Sequence, residues 1–338
     1  MLYRSLGRTG VQVSAFSLGA MLFGGTTPAS EAARLVDLAL DRGVNSLDTA
    51  NVYGRGASEE ALGAALRRNG RRDRVVLATK VHARMDDDDP NAAGSSRRHV
   101  IEQCHASLRR LGVDHLDVLY IHRPSSEVPI DETLRALTDL VRAGSVRYIG
   151  GSSFAAWQHL EALWAAKEYG LDRFVAEQTP YSLLDRRVER ELLPMAASYG
   201  SGVTVWSPLA GGMLTGKYRD AAGATRGRLG GDDSLWVRRH FVPAAFAVVD
   251  ELVALATARD CTPAQLALAW TLARDEVSSV VLGARSPEQL EDQLGALELR
   301  LAPEELARLD AVAPPGRAIV PYYLDDDFAD WRPHRHRW

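Results

Sequence analysis

Residues 75–122 contain one complete strand–helix–strand unit: VVLATK (Val75–Lys80), the stretch RRHVIEQCHASLRRL (Arg97–Leu111) and LDVLYIH (Leu116–His122). The two flanking runs are short and rich in Val, Leu and Ile, which predicts buried strands, and the segment between them has the period of an amphipathic helix. Because the helix carries the chain back across the sheet, the two strands are expected to pair in parallel.

The same alternation continues in both directions along the chain. Further candidate strands are Phe16–Gly19, Val44–Asp48, Val146–Ser152, Phe174–Gln178, Val203–Ser207 and Ser278–Gly283. Helical patterns lie between the strands, at Ala32–Arg42, Ser58–Asn69, Glu132–Arg142, Ala155–Tyr169, Val188–Tyr199 and Pro287–Leu297. Eight strands alternating with helices predict a closed (β/α)8 TIM barrel.

The alternative α/β architecture is an open, doubly wound sheet. Such a sheet normally carries a G-x-G-x-x-G turn after its first strand. Here the first strand leads into GAMLFGG (Gly19–Gly25), which does not fit that pattern. The barrel is therefore the preferred interpretation.

Three segments fall outside the strand–helix repeat. We predict that they belong to the same single domain, which spans residues 1–338. Residues 2–13 contain two short alternating runs around glycines, which predicts a hairpin that plugs the barrel floor. Residues 210–242 are rich in Gly, Arg and Asp and predict a long loop over the barrel mouth that also contacts a cofactor. Residues 314–338 form an irregular C-terminal tail.

The composition excludes several classes of protein. Of the 338 residues 46% are hydrophobic and 25% charged, which is typical of a globular chain rather than a disordered one. The net charge of −4 argues against nucleic-acid binding, which needs a basic face. Two cysteines are too few for a disulfide framework. No apolar run reaches membrane-spanning length and the N-terminus is not a signal peptide, so we expect a cytoplasmic protein without membrane insertion.

No metal site is predicted. The acidic run at 86–89 and the one at 325–327 lack the ligand spacing of a cation site and are expected to be solvated. His334 and His336 stand close together without cysteines, which does not make a zinc site. No pattern specifies an oligomeric state.

Lysine is scarce in this chain, because only Lys80, Lys167 and Lys217 occur among 40 basic residues. GC-rich coding explains the excess of arginine. The three remaining lysines are still candidates for a role that arginine cannot fill. A lysine ammonium is a compact charge whose pKa shifts readily, whereas an arginine guanidinium is planar and stays protonated. Lys167 lies on a predicted amphipathic helix, where a solvated charge is the simplest interpretation.

In a barrel of this kind the chemistry is expected at the C-terminal ends of the strands. The residues at or next to these ends are Gly19, Asp48, Lys80, His122, Ser152, Gln178, Trp206, Ser207, Gly283 and Arg285. The second, third and fourth predicted strands each end in an ionisable side chain. Unrelated strand ends would not usually be this polar, so these residues are candidates for a common site.

Tyr53 follows Asp48 by five residues, in DTANVYG (Asp48–Gly54), and is expected near the same mouth. A tyrosine can protonate a carbonyl oxygen, but its ordinary pKa of about 10 has to be lowered for work near neutrality. An adjacent Lys80 would lower that pKa, and a buried Asp48 would keep the lysine charged. His122 could hydrogen-bond the carbonyl oxygen and orient it.

Sequence motifs over almost the whole chain resemble those of the aldo-keto reductases. They are YRSLGRTGVQVSAFSLG, LDTANVYGRGASEEALG, LATKV, SLRRLGVDHLDVLYIHRP, VRYIGGSSF, WSPLAGGMLTGKY and VVLGARSPEQLEDQLGA. The later motifs are most similar to the branch that contains the potassium-channel β-subunit-like proteins. The resemblance implies a (β/α)8 barrel, a catalytic tetrad of Asp48, Tyr53, Lys80 and His122, and hydride transfer from a nicotinamide cofactor to an aldehyde or ketone.

The resemblance also implies cofactor-binding residues. Gly19, Ala20 and Met21 match the segment beside the nicotinamide, and Asp48 is a further cofactor-binding position. Ser152, Ser153 and Gln178 match the residues that contact the carboxamide, with Ser153 replacing the family's asparagine. Trp206 matches the aromatic residue that stacks on the nicotinamide ring. The pyrophosphate strap matches Ser207, Pro208, Leu209, Gly211, Leu214 and Lys217. The adenosine end matches Gly283, Arg285, Gln289, Asp292 and Gln293. Because the arginine guanidinium is a strong hydrogen-bond donor to a phosphate, Arg285 favours NADPH over NADH.

The expected partner is a small-molecule carbonyl substrate. Its pocket is predicted to include Phe23, Tyr53, His122 and Trp236, and Tyr322, Tyr323 and Trp331 are further aromatic candidates. Arg332, Arg335 and Arg337 could instead meet a phosphate, as in a keto-sugar linked to a nucleoside diphosphate.

Two other functions stay open at this point. Lys80 at a strand end could form a Schiff base, as in an aldolase. The resemblance to the channel β-subunit-like branch also allows an NADPH-binding regulatory subunit with little turnover. Both alternatives would use the same barrel.

Overall fold

The computed structural model describes residues 1–219, 229 and 235–322. In this part of the chain, eight parallel strands form a closed barrel in which the last strand pairs with the first. They are preceded by an antiparallel hairpin of β1 (Tyr3–Ser5) and β2 (Gln12–Ser14). The barrel strands are β3 (Phe16–Gly19), β4 (Ser46–Asp48), β5 (Val76–Val81), β6 (Leu116–Ile121), β7 (Val146–Ser152), β8 (Phe174–Pro180), β9 (Gly202–Trp206) and β10 (Val277–Leu282). The predicted fold class is confirmed.

The hairpin closes the N-terminal end of the barrel. Leu6 and Val13 are buried against side chains that point into the barrel, among them Val118 and Tyr120. Gly7 has a φ of +58°, and a Cβ there would lie 2.5 Å from the Gly202 nitrogen, so only glycine fits this close approach. The predicted N-terminal hairpin is confirmed, and it lies at the end of the barrel opposite the strand ends that carry the candidate chemistry.

Helices surround the barrel. They are α1 (Ala29–Asp41), α2 (Ala57–Asn69), α3 (Arg97–Leu111), α4 (Ile130–Arg142), α5 (Ala156–Tyr169), α6 (Leu192–Tyr199), α7 (Leu235–Arg238), α8 (Pro243–Ala258), α9 (Pro263–Leu272), α10 (Pro287–Leu294) and α11 (Pro303–Val312). Among the helices that the structure describes, none is both long and apolar enough to cross a membrane.

Two predicted helices have different bounds in the structure. The pattern at Val188–Tyr199 resolves into a short 3₁₀ turn and α6, which begins just before Pro194, because proline is tolerated only in a first helical turn. The pattern at Pro287–Leu297 ends as an α-helix at Leu294 and continues as a 3₁₀ turn.

No bounds are predicted for helices α8 and α11, and for α9 the sequence indicates only a helical pattern that begins near Cys261. In α9 eight of the ten residues are buried, from Ala264 to Leu272, so it lacks the polar face that makes a helix visible in a sequence. The loop predicted at 210–242 likewise contains a 3₁₀ helix, Ala210–Thr215, and the short α7. The side chain of Trp236 and residues 323–338, including Tyr323, Trp331 and the tail arginines, lie outside the described residues.

Candidate active site

The four tetrad residues come together at the C-terminal end of the barrel. Asp48 is the last residue of β4, Lys80 is the penultimate residue of β5, and His122 directly follows β6. Tyr53 opens a short 3₁₀ turn that leads from β4 into α2. Because neighbouring parallel strands end at one edge, side chains distant in sequence meet there.

Lys80 and Asp48 form a buried ion pair. The Lys80 Nζ donates to Asp48 Oδ1 at 2.5 Å and to the Thr49 carbonyl at 2.9 Å. Gln178 Nε2 donates to the other Asp48 oxygen at 2.7 Å, so both carboxylate oxygens have a donor. The Lys80 side chain is 1% exposed, and its burial opposes the charge, but Asp48 and Tyr53 outweigh that cost and raise the pKa of Lys80. The lysine is therefore a fixed ammonium.

Tyr53 and His122 pack edge to face above this pair. Their ring centroids are 5.7 Å apart with an interplanar angle of 82°, and the Lys80 Nζ lies 5.3 Å from the Tyr53 ring centroid. Loss of water around the phenol raises the pKa of Tyr53, and the opposing effect of Lys80 is smaller. The predicted net lowering of the Tyr53 pKa by Lys80 is not found, because desolvation outweighs the charge of the lysine. Tyr53 is therefore a protonated phenol.

His122 is a neutral imidazole at physiological pH. Desolvation is the main reason that its pKa lies well below the ordinary value, and the nearby charges of Lys80 and Arg123 add to the effect. A neutral imidazole beside a phenol can hydrogen-bond a carbonyl oxygen without adding a second charge at the site. The polar side chains of Tyr53 and His122 therefore lie next to each other.

A cavity of about 960 Å³ opens above the tetrad. The predicted residues that line it are Gly19, Met21, Asp48, Tyr53, His122, Ser152, Gln178, Trp206, Ser207, Pro208, Leu209, Gly211, Lys217, Gly283, Arg285, Gln289, Asp292 and Gln293. Tyr322 also lines it, with its ring 4.4 Å from that of Trp206. The volume is at the upper end for small-molecule sites, which suits an elongated cofactor together with a substrate.

The segment after β9 carries a positive charge along one side of the cavity. Its backbone turns through positive φ at Ser207, Gly211 and Gly212. Gly212 has a φ of +94°, a conformation that favours glycine, and the Lys217 Nζ lies close to it, 2.8 Å from the position that a Cβ would take. The segment after β9 therefore places the Lys217 ammonium beside Gly212, on the lining of the cavity.

A cation and a polar acceptor also line the cavity next to α10. The exposed Arg285 lies just before α10, and its backbone N–H donates to Gln289 Oε1 at 3.0 Å. Within the described residues, its guanidinium has no carboxylate partner, and the buried Gln293 Oε1 accepts no hydrogen bond. A cation and an unsatisfied buried acceptor in one region match an anion and a hydroxyl of a ligand.

Some predicted site residues do not reach the cavity. Phe23, expected in the substrate pocket, is 1% exposed and packs in the hydrophobic core, where its apolar ring is removed from water. Ala20 and Leu214 are buried, and Lys80 lies behind Asp48. The Ser153 hydroxyl accepts from Arg123 Nη1 at 2.5 Å, so the residue that replaces the family's asparagine is engaged by a protein side chain.

Sequence reasoning also missed part of the lining. The additional residues are Leu22, Thr26, Val52, Arg123, Gly212, Thr215, Thr262, Pro263, Ala264, Val281 and Leu282. The position of Arg123 could have been predicted from the sequence, because this residue directly follows His122 at the end of a strand. Residues 262–264 carried a signal as well, since Thr262, Pro263 and Gln265 form the capping box and N1 proline that mark the start of a helix.

Comparisons with known proteins agree with this geometry. The family model described as "Aldo/keto reductase family" matches residues 15–314. A Schizosaccharomyces pombe protein, provisionally named a voltage-gated potassium channel subunit beta, is 39% identical over 92% of this chain and 92% of its own length. An Arabidopsis thaliana protein with a similar provisional name is 38% identical, over 92% and 96% of the two chains. The Bacillus subtilis protein "Uncharacterized oxidoreductase YrpG" is 38% identical, over 93% and 96%.

Proposed function

This chain belongs to the aldo/keto reductase family, whose members are NAD(P)H-dependent oxidoreductases, and on that premise we propose that it reduces an aldehyde or ketone to the alcohol with NADPH. The observation that carries the proposal is the buried Lys80–Asp48 pair next to Tyr53 and His122: Asp48, Tyr53 and His122 line one large cavity, and Lys80 lies behind Asp48. This arrangement offers a proton donor and a hydrogen-bond donor to a single carbonyl oxygen.

Each tetrad residue has a separate role in this proposal. Tyr53 is the general acid that protonates the carbonyl oxygen, and the Lys80 ammonium stabilises the phenolate that remains. Asp48 holds Lys80 charged and in place through the 2.5 Å contact. The neutral His122 orients the carbonyl oxygen toward Tyr53. A bound reduced nicotinamide supplies the hydride that completes the reduction.

We also propose which cavity-lining residues bind the two ends of the cofactor. Trp206 is proposed to face the nicotinamide ring, with Ser152 and Gln178 at its carboxamide. Lys217 is proposed to neutralise the pyrophosphate, and Arg285 to bind the 2′-phosphate that distinguishes NADPH from NADH. The two cations lie in the segments after β9 and β10, and both line the same cavity.

The Schiff-base alternative has little support from the geometry. A nucleophilic lysine has to lose its proton and reach the substrate. Lys80 is instead 1% exposed, donates to Asp48 and Thr49, and has a raised pKa. Lys80 is therefore better suited to an electrostatic role.

A second candidate function rests on the names of two relatives. The fission yeast and Arabidopsis proteins are provisionally named as potassium channel subunits, so this chain could act as an NADPH-binding subunit of another protein. The tetrad is compatible with either role, because a regulatory subunit can retain a complete site.

The decisive experiment follows NADPH oxidation with a panel of aldehydes, diketones and keto-sugars. The reductase proposal expects steady turnover that falls about 100- to 10,000-fold in Tyr53→Phe, with NADPH binding retained. Tyr199→Phe is the matched control, because that tyrosine is exposed at the end of α6. NADPH binding without turnover on any carbonyl would favour the subunit role, and absence of NADPH binding would contradict both.

A further inference from the structure

A second cavity, of about 340 Å³, lies at the end of the barrel opposite the tetrad. It is lined by Trp164 and Lys167 from the last two turns of α5, by Arg173 directly before β8, and by Tyr199, the last residue of α6. The strands begin at this end of the barrel, and the helices that precede them end there. The two cavities share no lining residue, so they are separate sites.

The lining of this second cavity leaves two large aromatic residues in contact with water. Trp164 is 54% exposed and Tyr199 is 41% exposed, and they lie beside the apolar side chains of Leu163 and Leu171. A concave surface with exposed aromatic rings gains free energy when a planar apolar group covers it. The volume of the cavity is within the range of small-molecule sites, which favours a small ligand over a macromolecular partner.

Two cations line the second cavity, and among the described residues neither has a carboxylate partner. Arg173 donates through Nε to the Phe174 carbonyl at 3.3 Å and through Nη2 to the Tyr199 carbonyl at 2.8 Å. A guanidinium carries five N–H donors, so these two bonds leave further donors for a ligand. The Lys167 Nζ lies 5.0 Å from the Trp164 ring centroid and makes no hydrogen bond to a described residue.

The electrostatic surroundings of Arg173 oppose its charge. Its pKa is lowered by desolvation and also by the charge of Arg8. Arg8 is held nearby, because its backbone N–H donates to the Gly200 carbonyl at 2.9 Å. Asp172 and Glu168 are the carboxylates next to the two cations in sequence, but they do not line the cavity. The lining therefore carries a positive charge that an anionic ligand would match.

Helix termini explain the position of one of these cations but not of the other. Arg173 bonds to the last carbonyl of α6, and cations stabilise the C-terminus of a helix. Lys167 is also in the last turn of α5, but its ammonium lies near the Trp164 ring and donates to no described carbonyl. A ligand that has both an apolar face and a negative charge would use the ring and the two cations together.

We propose that this second cavity binds a small aromatic carboxylate, whose ring stacks on Trp164 and whose carboxylate is bound by Arg173 and Lys167. The ring removes the exposed aromatic surface from water, and the two cations donate charge-assisted hydrogen bonds to the carboxylate oxygens. Binding there involves no covalent change. The site is independent of the proposed reductase function, because it lies at the other end of the barrel.

Calorimetry compares 2-naphthoate with 2-naphthamide, a neutral compound of nearly the same shape. Both are titrated into the full-length protein with and without saturating NADP⁺, which is proposed to fill the cavity above the tetrad. The variants are Lys167→Met, Arg173→Met and Trp164→Ala. Arg142→Met is the matched control, because Arg142 is exposed at the end of α4 and does not line the cavity. It removes one positive charge from the same end of the barrel.

We expect the wild type to bind naphthoate at least about tenfold more tightly than naphthamide. Lys167→Met and Arg173→Met should each weaken naphthoate binding about 3- to 30-fold and naphthamide binding less than about threefold. Trp164→Ala should weaken the binding of both compounds about tenfold, and Arg142→Met should change neither. Lys167 is exposed and makes no hydrogen bond to a described residue, so its replacement keeps the test valid if Arg173→Met fails to fold.

Three results would overturn the inference. The first is equal affinity for naphthoate and naphthamide, or a naphthoate affinity that none of the three substitutions changes. The second is naphthoate binding that NADP⁺ abolishes, which would assign the compound to the cavity above the tetrad. The third is absence of naphthoate binding together with a self-association, measured by sedimentation, that Trp164→Ala abolishes. That result would show that a second copy of this chain covers the aromatic surface.

Discussion

The Lys80 ammonium lies 2.5 Å from the Asp48 carboxylate; both side chains are buried, and Asp48 separates Lys80 from the cavity that it lines. Charges this deeply buried persist only when each is matched and hydrogen-bonded, and here Thr49 and Gln178 supply the remaining bonds. The pair keeps a positive charge under Tyr53 without leaving that charge free in the cavity.

Breaking this pair should destabilise the fold as well as abolish activity. Lys80→Met and Asp48→Asn are each expected to lower the free energy of unfolding by about 3 kcal/mol, because each leaves an uncompensated buried charge. The double variant should lose less than the sum of the two, since it leaves neither charge. Urea unfolding of all four proteins measures the difference, and strict additivity would show that the ion pair does not couple the two residues.

The pH dependence of reduction should be flat around neutrality. Tyr53 acts in its protonated form, and its raised pKa means that the proton is lost only above about pH 10. His122 acts in its neutral form, and its lowered pKa means that it gains a proton only well below about pH 6.5. We expect kcat/KM to vary less than about twofold from about pH 7 to about pH 9. A tenfold change inside that range would show that another group controls the rate.

Replacing Arg285 should change the choice of cofactor. Arg285→Met is expected to weaken NADPH binding about 10- to 100-fold and NADH binding by less than about threefold, because only NADPH carries the 2′-phosphate. Quenching of protein fluorescence measures both affinities. Arg98→Met, on the exposed surface of α3, is the control for a general loss of positive charge. Equal losses for the two cofactors would contradict the assignment of Arg285.

A buried Ser–His–Glu arrangement lies away from the cavity and should affect stability alone. His159 Nδ1 lies 3.2 Å from Glu177 Oε2, and its Nε2 lies 3.0 Å from Ser201 Oγ. This is the order of groups in a nucleophilic triad, but both His159 and Glu177 are 0% exposed and no substrate can reach them.

Ser201→Ala should therefore lower the free energy of unfolding by about 1 kcal/mol, through the lost hydrogen bond, and leave NADPH turnover unchanged. Thermal unfolding and the carbonyl assay measure the two effects. An ester-hydrolysis rate above background in the wild type, lost in Ser201→Ala, would show that the arrangement is catalytic after all.

The three lysines of this chain lie in three different environments. Lys80 lies in the buried pair and Lys217 on the strap of the cavity. Lys167 lies near the exposed Trp164 ring, with its Nζ 5.0 Å from the centroid. Rarity therefore marked a residue of the proposed reductase site only where it coincided with the C-terminal face of the barrel.

The sequence by itself determined the barrel, since short apolar runs alternating with helical periods leave few other ways to bury both faces of each strand. It also determined which residues stand at the strand ends. Only the tertiary structure decided that desolvation outweighs Lys80 at Tyr53, that Phe23 turns into the core, and that Arg123 lies anchored to Ser153 beside the reacting groups. These outcomes depend on distances and on access to water between segments far apart in the chain, and no local pattern of residues encodes them.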